Sequence, residues 1–112
     1  MTFPIDLNGY KALSFPLSQE KLSDEQAEQL RTNIAVVRAS IVFFTANANK
    51  KGLGGHTGGA YDIVPELLIV DGFMRGDDQI HPVFFDEAGH RVAIQYLMAA
   101  LNGYIPFDTL LH

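Results

Sequence analysis

The stretch SDEQAEQLRTNIAVVRASIVFFTANANK, residues 23–50, is the longest segment with one clear period. Ser23 followed three residues later by Gln26 fits a capping box, and Asp24 and Glu25 stand in the first turn, where the helix dipole favours acids. Leu30, Ile34, Val37, Ile41, Phe44 and Ala48 then recur at spacings of three and four, which predicts one continuous apolar face. Val36, Val42 and Phe43 widen it. A helix apolar over more than half its circumference belongs between layers or against a partner. It is predicted to end near Asn49, where Asn, Lys and Gly follow.

Working outward, residues 1–22 hold Pro4, Gly9 and Pro16 between short apolar pieces. They read as an extended arm lying on a surface, with Phe3, Ile5, Leu7, Phe15 and Leu17 as anchors. After the long helix comes GLGGHTGGAYD, residues 52–62, a glycine loop around one histidine. A second helix is predicted over about 61–74, with Ile63, Val64, Leu67, Leu68 and Val70 available for burial. Pro65 sits in its first turn, where a missing N–H costs nothing. Residues 75–82 form a loop. Val83-Phe84-Phe85 reads as a short buried strand. Residues 86–89 turn into a third helix, His90 to Leu101, with Ala93, Leu97, Ala100 and Leu101 on one face and Asn102-Gly103 at its end. Pro106 to His112 begins a further element. The expected class is therefore α/β, mostly helical with one short buried strand, in two parts: the arm over 1–22 and one domain over 23–112.

Composition narrows the function. Hydrophobic residues make up 47% of the 112 and charged residues 19%, enough for a core and against disorder. The net charge of −5, with eight dispersed Lys and Arg, argues against a nucleic-acid partner. No cysteine occurs, which removes disulfides, thiolate metal sites and cysteine nucleophiles, and fits a cytoplasmic setting. The first residues lack the basic start of a signal peptide, and no apolar run approaches the roughly 20 residues of a membrane helix.

Two histidines stand out. His56 is flanked by glycines, either exposed or aimed into a cleft. The loop that carries it feeds a helix, so it is either a flexible turn or a cradle in which Gly58 and Gly59 let a ligand approach the main chain, with freed amides suited to phosphate. His90 follows Gly89 at a strand-to-helix turn, a position where active groups often sit. The histidines lack the i,i+4 or Glu-x-x-His spacing of a zinc site, and no Gly-x-Ser-x-Gly marks a serine nucleophile.

Read together, GGHTGG before a helix and PVFFDEAGHRVAIQYLMAALNGYIP resemble the start of a transketolase. That family carries a Gly-His-x-Gly loop after its first long helix. About 30 residues on, it has a strand ending in Gly-His and a helix closing on Gly-Tyr-x-x-Pro. Here the second block is Phe84 to His90, then Tyr96, Leu101, Gly103, Tyr104 and Pro106. The resemblance spans roughly residues 24–112.

The resemblance implies a thiamine-diphosphate enzyme that transfers a two-carbon ketol unit between sugar phosphates, working as a homodimer with a divalent metal such as magnesium. It puts His56 and His90 in the catalytic centre, Gly89 and His90 against the cofactor, and His56 and Gly58 against the substrate. Neutral imidazoles would shuttle protons between sugar hydroxyls and the intermediate, while the thiazolium supplies the electron sink. Thr57 to Asp62, Asp86-Glu87 and Arg91 depart from the family's usual residues. A 2-oxo acid dehydrogenase first component or a deoxyxylulose phosphate synthase is therefore an alternative. The family's Gly-Asp-Gly metal motif and its activating Glu are missing, since Gly76-Asp77-Asp78 lies in the wrong loop. The chain is thus expected to be an inactive N-terminal fragment of a longer enzyme, one whose wide helical face recruits a second copy. A non-enzymatic helical module that binds a phosphate-bearing ligand or a protein is the reading of another class.

Overall fold

The computed structural model describes residues 3–53, 57–80 and 91–111. These residues contain four α-helices, α1 (Asp24–Lys50), α2 (Gly58–Asp62), α3 (Val64–Gly76) and α4 (Val92–Leu101), with 3-10 turns at Leu7–Gly9 and Phe107–Leu111. The capping box forms as the sequence predicts. Gln26 N–H donates to Ser23 Oγ at 3.1 Å, and Ser23 N–H donates to Gln26 Oε1 at 2.9 Å. Both long-range helix stops are Schellman turns. At α1, Leu53 N–H reaches Ala48 O (2.9 Å) and Gly52 N–H reaches Asn49 O (3.0 Å). At α4, Tyr104 N–H reaches Ala99 O (2.8 Å) and Gly103 N–H reaches Ala100 O (3.0 Å). Gly52 (φ 79°) and Gly103 (φ 81°) supply the left-handed residue that each turn requires.

The α/β expectation is overturned. Among the described residues every regular element is a helix, and no strand or sheet occurs. Val83-Phe84-Phe85 lies outside the described residues. The physical reason is helix-on-helix closure: α1 packs against α3 and α4, and α2 fills in against all three. Leu30, Val37 and Ile41 of α1, Ala60 of α2, Val64, Leu67 and Leu68 of α3, and Ile94, Leu97 and Met98 of α4 form one continuous core. The fold is a small helical domain, and its apolar faces are matched without a sheet layer.

Pro65 divides what the sequence presented as one helix. It stands in the first turn of α3, and the chain before it makes a separate short turn of helix, α2. A proline ring clashes with the carbonyl four residues back, so a single helix through this point is disfavoured. On α3 the buried set also includes Asp71 and Gly72, while Val70 is turned outward. On α4 the buried face is Ile94, Leu97 and Met98, with Ala93 and Leu101 packed at its edge.

The arm is fixed to this core at three places. Phe3 packs among Phe43, Phe44 and Phe107, with ring centroids 4.8–5.3 Å away. Asn33, buried on α1, grips the main chain of Lys11: its Oδ1 accepts from Lys11 N–H at 3.1 Å and its Nδ2 donates to Lys11 O at 2.7 Å. Gln29 Nε2 reinforces the grip by donating to Gly9 O at 2.8 Å and to Asn33 Oδ1 at 2.9 Å. Phe15, 1% exposed, drops into a notch on α3 where Gly72 and Gly76 face it. Phe15 N–H donates to Gly72 O at 2.8 Å, and its ring meets Phe73 edge-on at 5.5 Å. Beyond the notch, Leu17 N–H donates to Asp77 Oδ2 at 3.0 Å. That bond, with one from Gln79 N–H, holds the Asp77 carboxyl below the usual carboxylate range.

A methyl group at Gly72 would lie 2.3 Å from the Phe15 ring, and one at Gly76 would lie 2.3 Å from the Phe15 backbone. Gly72→Ala is therefore expected to cost about 1–3 kcal/mol through overpacking, read from the urea midpoint. Combined with Phe15→Ala, which empties the notch, the Gly72→Ala penalty should vanish, because the two positions share one contact. Additive costs would show that the notch does not hold the ring.

Candidate functional site

Of the residues singled out in the sequence, Gly58 opens α2, is exposed, and among the described residues no atom beyond its chain neighbours and its own helix lies within 4 Å of where a Cβ would stand. His56, Gly89 and His90 lie outside the described residues. What the structure does give is the surroundings of the elements that follow them. α2 begins two residues after His56, and α4 begins two residues after His90. These two helices pack against each other.

Their beginnings share a cavity of about 290 Å³, lined by Gly59, Asp62, Ile63, Glu66 and Arg91. Two carboxylates and one guanidinium give its wall hydrogen-bond acceptors and donors, with Ile63 the apolar element. Asp62 ends α2 and Glu66, four positions on, stands in the first turn of α3, and both line this rim. Arg38 secures this end of the molecule from α1. Its Nε donates to Tyr61 O at 3.2 Å, and its guanidinium lies 4.4 Å from the Tyr61 ring centroid, a cation–π contact.

A second polar centre joins the far ends of α3 and α4 and was not singled out in the sequence. Arg75 Nε donates to Asp71 Oδ2 at 2.9 Å, Asn102 Nδ2 donates to Asp71 Oδ1 at 3.2 Å, and Arg75 Nη2 donates to Asn102 Oδ1. The three side chains close a ring of hydrogen bonds around a carboxylate that is 7% exposed. A buried charge is tolerated only when paired and bonded in this way. Tyr10 of the arm stands in the same field. Burial first, and then the negative charge of Asp71, push its hydroxyl up to about 12, while Arg75 opposes the shift. The signal available in the sequence was Asp71 and Arg75 at i,i+4 on a helix whose other side is apolar.

The raised Tyr10 hydroxyl carries a sign. Its protonated form is favoured by folding, so the associated stability is intact below the ordinary tyrosine value near 10 and is lost as pH rises toward about 12. Spectrophotometric alkaline titration of the wild type against Tyr10→Phe should show one tyrosine titrating at about 12 that the variant lacks. Identical titration curves above the ordinary range would refute the burial beside Asp71.

Among the described residues no three His, Asp or Glu side chains gather as a metal site, and no helix is long and apolar enough to cross a membrane. No protein-family model, curated protein or solved structure matches this chain.

Proposed function

We propose that this chain supplies two catalytic histidines, His56 toward the substrate and His90 toward the cofactor, of a transketolase-like enzyme that transfers a two-carbon ketol unit between sugar phosphates in a cytoplasmic setting. The observation that carries the reading is the cavity between the beginnings of α2 and α4. Gly59, three residues after His56, and Arg91, the residue after His90, line the same opening. Motifs 34 positions apart in the sequence thus lead into elements that meet at one rim. Imidazole is suited to exchanging protons with sugar hydroxyls near neutral pH. Asp62, Glu66 and Arg91 are suited to hydrogen-bonding a polyhydroxy substrate beside it.

The described residues do not fit the diphosphate of thiamine diphosphate or its metal. The cavity presents two carboxylates against one guanidinium, a poor seat for an anion, and no set of ligating side chains gathers nearby. In this proposal those groups are held outside the described residues. The chain's own contribution is to bind and orient sugar and to move protons.

In an enzyme containing this chain, His90→Ala should lower kcat by about 100-fold or more, the range for loss of an acid–base group, with the thermal midpoint unchanged. His56→Ala should also raise the substrate KM. Wild-type kinetics in both variants would remove these residues from the chemistry.

Self-association belongs to the same proposal. Val42 on α1 is 47% exposed and borders a broad groove with Ile34, Ala35, Ala39 and Phe43. Burying such a face against a second copy is favourable. Sedimentation equilibrium should show mass rising with concentration, and a constant monomer mass at high concentration would refute the association.

One observation favours a second reading, a helical binding module. The described residues already close a continuous core, and none of their buried side-chain polar atoms lacks a hydrogen-bond partner. The histidine variants separate the readings, because a module has no turnover to lose.

A further inference from the structure

The cavity at the beginnings of α2 and α4 leaves another concavity unused. α3 and α4 both pack on α1, and between them runs a trough of about 230 Å³ walled by Leu67, Met74, Met98 and Ala99, with the neutral amide of Gln95 also in its lining. Its polar end is the Asp71–Arg75–Asn102 ring of hydrogen bonds, and Tyr104, 80% exposed, stands at its rim. We propose that this trough is a binding site for a small neutral molecule with a planar aromatic body and one uncharged hydrogen-bonding head, such as a carboxamide.

Each part of that description follows from the walls. Two thioethers and a nearby tyrosine ring form a polarizable, adaptable apolar surface, and sulfur–aromatic contact favours a flat ring. The size suits one substituted ring, since a cavity of about 150 Å³ already admits benzene. The head is set by charge balance. Asp71 and Arg75 neutralise each other at 2.9 Å, and both Asp71 oxygens already accept hydrogen bonds. An anionic head would meet the Asp71 carboxylate, and a cationic head would meet the Arg75 guanidinium. Either would be desolvated without a counter-charge of its own. A neutral head can hydrogen-bond at this end without disturbing the pair. A few convergent polar groups at the end of an apolar concavity is the usual form of a small-molecule site.

The chain has three methionines, Met1, Met74 and Met98, so methyl-labelled methionine gives three signals, two of them from the trough. The probes are benzamide, benzoate and benzylamine, each titrated into the full chain at neutral pH. Benzamide should shift the Met74 and Met98 methyl signals saturably, with Met1 as the reference, and the two charged probes should bind about tenfold more weakly. Ala99→Phe, which fills the trough from α4, should abolish the benzamide shifts. Tyr104→Ala, at an exposed position that cannot unfold the core, should weaken benzamide binding several-fold. Absence of saturable shifts, equal affinity for all three probes, or benzamide shifts unchanged in a folded Ala99→Phe or Tyr104→Ala variant would overturn the site.

Discussion

Burial of one stripe of α1 is the constraint on which the molecule is built. Val37 and Ile41 are fully buried, and α2, α3 and α4 all pack on the helix that carries them. Each such side chain contributes about 1.5–3 kcal/mol when removed from water. A 27-residue helix is also a long template, and the other three helices are set along it. Because α3 and α4 each pack on α1, the core stays closed while a trough lies between them.

Polar side chains then decide how the parts sit, which apolar burial alone does poorly. Asn33 is an amide in the core register of α1, and it reads main chain rather than side chain, using its oxygen and its nitrogen on the same residue of the arm. The Asp71–Arg75–Asn102 ring does the equivalent work for the ends of α3 and α4. Both devices cost desolvation and return it only when every bond is made. They therefore favour one register over the sliding alternatives that a purely apolar contact would tolerate.

Much of the fold was legible from residues 23–50. The Ser23 cap, the apolar period and the glycine stop all announce themselves through local rules, and they correspond to α1 from its capping box to Gly52. Phe3, Ile5, Leu7, Phe15 and Leu17 were all read as anchors; Leu17 is 49% exposed and Phe15 is buried, and the depth of the Phe15 seat was not legible. It depends on Gly72 and Gly76, which are remote in sequence and look like ordinary helix-weakening residues. The strand at Val83–Phe85 was inferred from a short apolar run, a pattern that periodicity cannot assign, and the described residues close their core without a sheet. Asn33 and Ser40 were passed over because an apolar count skips polar residues in core register. Ser40 resolves its own burial by donating to Val36 O at 2.8 Å, one turn back. At the candidate site, the i,i+4 spacing of Asp62 and Glu66 stood in the sequence, but nothing local marked the pair as more than a solvated helix face.

The seat of Phe15 on α3 is made by missing atoms. Two hydrogens in place of methyl groups let one stretch of main chain lie against another, so the aromatic ring is retained by vacancy as much as by attraction. A single added carbon at either glycine would crowd this seat, while Phe3 and the main chain of Lys11 would still tie the arm to the core.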